Sequence, residues 1–294
     1  MPTLLKWLFL TFAVLLALAA LAAAAVHVGS ERMLAKRYPV LPEPLPTPSA
    51  AALADAPRQA RLLGCLSCHG PGLRGNEVFD MPWIGTIAAP NLPLLIRHRT
   101  DQQIAAAIRQ GVGPDGRPLL VMPSGLFSRL SPEEVSALIL WMRGLPVDGS
   151  AGKPFRLTLL GRFTVLNEDM PRQPELVPRY RGQWPAAAGP GHERGRRIAA
   201  LICAECHSPD LSGGDRPHAD FNTSLGEGVP ATPDLDIAAA YDLPAFTRLL
   251  RTGIPPSGRD LGMMSSVARK DFRRFTDPEI AALHAYLRAR AERR

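Results

Sequence analysis

The chain has 294 residues, 46% of them hydrophobic and 21% charged, which suits a folded protein with room for two compact domains and a membrane segment. Its net charge of +7 is concentrated in residues 1–40 and 150–190. Neither main domain therefore has the clustered basic face that nucleic acid requires, and no nucleic-acid partner is expected.

From Trp7 to Val28 the chain is almost wholly apolar, interrupted only by Thr11 and His27, and is long enough to cross a bilayer as a helix. A signal peptide normally has a shorter apolar core, so residues 1–28 read as a retained anchor; small residues at 23–25 keep the cleaved alternative open. Arg32, Lys36 and Arg37 follow, against the positive-inside tendency. Residues 29–50 carry prolines at 39, 42, 44, 46 and 48, predicting an extended spacer that holds the first domain off the membrane.

Residues 51–147 and 191–294 read as two domains, with 148–190 joining them. In each, a helix (51–63; 192–202) runs into a C-x-x-C pair, and a second helix (101–110; 243–251) follows the capping residue Thr100 or Asp242. The last helix starts at Ser131 or Thr276, each followed three residues on by Glu134 or Glu279, a capping box. The intervening Pro- and Gly-rich loops show no strand-like alternation, so the expected class is all-α. Three helices per domain cannot close a sizeable core alone, which predicts a flat apolar group in the middle.

The two halves are a duplication. Residues 109–124 align without a gap on 251–266, sharing Arg109/Arg251, Gly116/Gly258, Arg117/Arg259 and Met122/Met264. After a three-residue insertion the register resumes through Glu134/Glu279 and Trp141/Tyr286. Residues 148–190 belong to neither repeat. Their apolar residues (Phe155, Leu157, Leu159, Leu160, Phe163, Val165, Leu166) are read as a linker packed across both domains, with a docking surface for a redox partner as the alternative.

The four cysteines, too few for a disulfide scaffold, stand in Cys65-Leu-Ser-Cys68-His69 and Cys203-Ala-Glu-Cys206-His207. On a helix, positions i, i+3 and i+4 share a face. Two thiols can then bond one edge of a haem while the imidazole meets its iron, the C-x-x-C-H pattern of covalent c-type haem. A zinc site wants its second pair within about 15–20 residues, far closer than the two pairs lie here, and a redox dithiol wants a βαβ context. The expected cofactors are two covalent haems on Cys65, Cys68, Cys203 and Cys206, with His69 and His207 as proximal iron ligands. A soft thioether completes each iron: Met122 in the first half and Met264, by repeat register, in the second, with its neighbour Met263 as the alternative. His27, His98, His192, His218 and His284 have no partners at ligand spacing, and His284 is read as packed or at the surface.

These motifs, with Ala-Pro-Asn-Leu at 89–92 and Gly-x-x-x-x-Gly-Arg before each methionine, resemble class I c-type cytochromes, specifically the tandem di-haem proteins with an N-terminal anchor. The resemblance covers nearly all of residues 51–147 and 191–294. It implies two tandem cytochrome c domains whose first and last helices cross, with Trp141 and Tyr286 at the aromatic position of the last helix. It also implies an electron carrier on the periplasmic side of the inner membrane, serving a dehydrogenase, a quinol oxidase or a terminal oxidase. The second half departs from the pattern at Pro233-Asp234-Leu235, where the first has Pro90-Asn91-Leu92. A di-haem oxidoreductase (a peroxidase or sulfur-compound oxidase) and a subunit of a membrane dehydrogenase complex stand as alternatives.

Overall fold

The computed structural model describes residues 2–214 and 232–293; His218 lies outside them. Helix α1 (Pro2–Ala35) is long and apolar enough to cross a membrane, and none of its apolar window is buried within the molecule. The proline-rich stretch after it forms neither helix nor strand, and it does not stand off the fold. Leu41 and Glu43 retain the N–H groups that proline lacks. Leu41 N donates to Gln110 Oε1 at 2.9 Å and Glu43 N to Gln102 Oε1 at 2.9 Å, while both glutamine amides donate back to the same backbone. The spacer is thus strapped onto the first repeat, and Glu43 also pairs with Arg109 at 2.8 Å.

In the first repeat α2 (Ala50–Leu62) stops at Gly64, whose φ of 75° turns the chain into α3 (Cys65–His69). An antiparallel hairpin follows, β1 (Arg74–Met81) and β2 (Gly85–Asn91). This corrects the all-α expectation: the protein is mostly helical but carries a small sheet. The alternation was hidden because β1 contains Gly, Asn and Asp and its register shifts between Glu77 and Phe79. Helices α4 (Leu92–Ile96), α5 (Asp101–Arg109), α6 (Ser124–Phe127) and α7 (Pro132–Arg143) complete the repeat.

The joining segment supplies β3 (Arg156–Leu157) to the edge of β2, then α8 (Leu159–Leu166) against α1 and α9 (Gln173–Gly182) against α6. Leu176, Val177 and Tyr180 are buried, whereas Phe155, Leu159, Leu160 and Phe163 remain exposed, so only part of this segment packs as a linker.

In the second repeat α10 (Glu193–Ile198) passes through a π turn (Ala199–Cys203) into α11 (Ala204–His207). After a 3-10 turn (Leu235–Ala240) come α12 (Leu243–Thr252), α13 (Met263–Lys270) and α14 (Asp277–Ala291). Both expected capping boxes are present, Ser131 with Glu134 and Thr276 with Glu279. In each repeat the helix before the cysteines packs on the last one, α2 on α7 and α10 on α14. The second crossing is close enough that a Cβ on Gly195 would run into the carbonyl of Ala282.

One hydrophobic core takes residues from both repeats, among them Ala60, Leu138, Leu201, Leu250 and Tyr286. The repeats also exchange ion pairs reciprocally. Arg58 of α2 reaches Glu279 of α14 at 2.8 Å, and Arg197 of α10 reaches Glu134 of α7, so each capping-box glutamate takes an arginine from the other repeat's first helix. Arg129 adds a buried clasp: its guanidinium donates to the carbonyls of Tyr180, Gln183 and Ala200 and lies over the Tyr180 and Trp184 rings.

Candidate functional site

Cys65, Cys68 and His69 occupy the short helix α3, fixed between left-handed Gly64 and Gly70 (φ 73°). They open into a cavity of about 1100 Å³, beyond the roughly 300–1,000 Å³ usual for small-molecule sites. Met122 lines the same cavity, as do Trp141, Ile96, Leu119 and Leu126. Two thiols, an imidazole and a thioether from separate stretches of the first repeat therefore share one apolar chamber. Burial pushes the Cys65 thiol up to about 12 and Cys68 to about 11, and the charges of Glu205 and Asp271 add to this. Thiols held so far from ionisation are poor nucleophiles, unlike the low-pKa cysteines of redox dithiols. Among the described residues, no group of three or more His, Cys, Asp or Glu is placed to hold a metal ion by itself.

His69 Nδ1 lies 2.9 Å from the carbonyl oxygen of Pro90, and His207 Nδ1 lies 2.9 Å from that of Pro233. A carbonyl can only accept, so each Nδ1 carries the hydrogen and Nε2 keeps the lone pair for a metal. Burial lowers both imidazole pKa values, and the carbonyl partner opposes that only in part. Both rings are thus neutral near pH 7. Neither proline carbonyl was singled out from the sequence, although Pro-Asn-Leu and Pro-Asp-Leu recur after each C-x-x-C-H.

The departure at Asp234 has a structural counterpart. Asn91 caps α4 by accepting from Leu94 N and donates its amide to the carbonyls of Asp148 and Ser150. Asp234 caps the following turn in the same way, accepting from Asp236 N, but its carboxylate faces Arg290 at 2.8 Å. Arg290 is buried on α14 and also holds Asp236. The amide-to-carboxylate exchange is matched by a cation.

In the second repeat burial pushes Cys203 and Cys206 up to about 12. Met263 and Met264 occupy the first turn of α13, whereas Met122 precedes Pro123 in a loop. Proline disfavours helical backbone in the residue before it. The first repeat therefore cannot start its helix at Met122, and the second, lacking the proline, starts one turn earlier. Met264 packs against the main core, while Met263 is 51% exposed and lines the shared cavity. His284 is packed, its Nε2 2.8 Å from the Tyr241 carbonyl and its ring beside Phe246. Met170, which no sequence pattern marks, is buried in a small cluster with Ile84, Ile87 and Val165.

The cavity crosses between the repeats, for Glu205, Cys206, Val267 and Asp271 form part of its wall. Ser67, inside the first motif, donates to Asp271 at 2.7 Å. Burial raises the Asp271 carboxyl, with Ser67 and the charges of Arg61 and Lys270 pulling the other way. Arg99 also lines the cavity, and its buried Nε has no hydrogen-bond partner. A buried unpaired guanidinium nitrogen beside an apolar chamber suits a ligand with an acidic edge. No protein-family model matches this chain, and no curated protein matches it.

Proposed function

We propose that the protein is a membrane-anchored c-type cytochrome carrying two covalent haems and passing electrons on the periplasmic side of the inner membrane. One observation carries this reading: Cys65, Cys68, His69 and Met122 line a single apolar cavity, with His69 oriented by a carbonyl at the distance found again at His207. Cys65 and Cys68 would hold one haem and Cys203 and Cys206 the other. His69 with Met122, and His207 with Met264, would be the axial ligands, Met263 being the alternative to Met264. Arg99, whose buried Nε has no hydrogen-bond partner, would pair with a propionate. When bound, haem supplies a reversible one-electron change at iron, at a potential that His/Met ligation raises above bis-His. The chain's own share is to fix ring tautomers through Pro90 and Pro233, to exclude water, and to bring the two motifs together. A dehydrogenase, a quinol oxidase or a terminal oxidase would be its redox partner.

Expression with periplasmic haem attachment, followed by denaturation and acidified-solvent extraction, tests the reading. Two haems per chain should stay with the polypeptide, and replacing Cys65 and Cys68 together by alanine should leave one. Pigment that extracts, or zinc in its place, overturns the cytochrome; stoichiometric carbon monoxide binding by the reduced protein overturns the carrier in favour of an enzyme.

A further inference from the structure

One apolar surface lies largely outside the cavity, which it meets only at Phe155. Trp83 is 55% exposed, Phe155 40%, Leu159 47%, Leu160 49% and Phe163 44%. These five belong to one local unit, the β1–β2 turn with β3 and α8. β3 pairs with β2 through Gly85 and Leu157; Thr158 N donates to Ile84 O at 3.0 Å, and the Thr158 hydroxyl donates to the Trp83 carbonyl. Gly161 lets α8 lie directly on the turn, where a Cβ would strike the Ile84 carbonyl.

The unit is fastened to α1 just past its apolar run. Arg162 donates to Glu31 at 2.6 Å and to Ser30 Oγ at 3.2 Å, and the Leu166 side chain lies 3.0 Å from where a Cβ on Gly29 would stand. With Val28 ending the apolar run, Gly29 to Glu31 sit about 1.5–4.5 Å further along the axis. Phe163, three residues before Leu166, is then no more than about 6 Å beyond Val28 at 1.5 Å per residue. The polar layer outside the hydrocarbon is about 5–7 Å thick on each side.

We propose that Phe163 and the apolar surface around it rest in the headgroup layer of the bilayer that α1 crosses, so that α8 sets the tilt of the whole molecule on the membrane. The inference rests on α1 being membrane-spanning. Continuity with α1 favours lipid over a protein occupant: once the anchor is inserted, bilayer lies at the level of this surface. Leucine, phenylalanine and tryptophan on an interfacial helix are the residues that partition there.

The test uses the full chain in vesicles of phosphatidylethanolamine and phosphatidylglycerol, with photoreactive benzoylphenylalanine replacing Phe163, Leu16 in mid-α1, or Leu243 on α12. Lipid adducts should form at positions 16 and 163, with at least about tenfold less at 243. Adducts at 16 but not at 163 overturn the proposal and leave the anchor standing. Adducts from 163 to a second copy of the chain overturn it in favour of a protein interface. No adduct at 16 overturns the anchor, and this inference with it.

Discussion

Arg290→Met isolates the device that lets the second repeat keep an aspartate where the first has an asparagine. The guanidinium is buried, donates to Asp234 at 2.8 Å, to Asp236 and to the Asp210 carbonyl at 3.1 Å, and has no solvent route to compensate. Removing one partner of a buried pair costs about 3–5 kcal/mol, because the other is left charged and poorly solvated. Asp234 and Asp236 keep 30% and 25% of their side-chain surface, so water recovers part of this. The expected loss is about 2–4 kcal/mol, read from urea unfolding followed by far-ultraviolet circular dichroism. Asp234→Asn restores the residue of the first repeat, where Asn91 is satisfied without a cation. In the Arg290→Met background it should recover about 1–2 kcal/mol, whereas alone it should cost about 1 kcal/mol or more, a coupling that a double-mutant cycle reads directly. A loss below about 1 kcal/mol for Arg290→Met, or additive effects of the two changes, refutes the compensation.

On the proposed haem ligation, Met264→Ala should abolish one of two sulfur-to-iron charge-transfer signals and Met263→Ala neither; the reverse assigns the ligand to Met263. Glu175 joins Lys36 and Tyr38, just past α1, to α9: burial would raise its carboxyl, but hydrogen bonds from Tyr38, Lys36 and Arg172 hold it at about 2. A depressed carboxyl contributes stability that is present above its ordinary value of 4.5 and lost as pH falls through about 2. With 35% of the side chain exposed, Glu175→Gln should cost only about 0.5–1 kcal/mol at pH 7, and thermal unfolding should show that difference vanish near pH 2. Gly195→Ala drives a methyl into the Ala282 carbonyl and the Tyr286 Cβ, and should destabilise by about 1–3 kcal/mol in the same urea assay; a neutral result would mean that α10 and α14 can move apart freely.

The helices were legible because their signals are local. Thr100, Ser131 and Thr276 each meet a partner three residues on, and all three capping boxes form. Register between the repeats was legible for the same reason, as duplicated residues keep duplicated tasks: Arg109 donates to the Ser128 carbonyl and Arg251 to that of Arg273, each three residues before the last helix's cap. What the sequence concealed depends on partners far along the chain. The spacer's docking needs Gln102 and Gln110, two glutamines in an otherwise ordinary helix. The hairpin needs β3, two residues long and some 65 positions downstream, to complete its edge. Pro90 and Pro233 look like turn residues until their carbonyls are found facing the imidazoles.

The reciprocal packing of the repeats bears on what the molecule can do. Glu134 and Glu279 each close their own capping box and also receive an arginine from the opposite repeat, so the start of each last helix is tied to the other repeat's first helix. Those first helices run straight into the two motifs, and Glu205 and Cys206 of the second reach the cavity that the first lines. Ser67 of the first motif then meets Asp271 beyond α13, and Glu205 of the second bears on the thiols of the first. Cys65, Cys68 and Cys206 line one cavity walled by both repeats, and the Arg58–Glu279 and Arg197–Glu134 pairs join those repeats from opposite sides.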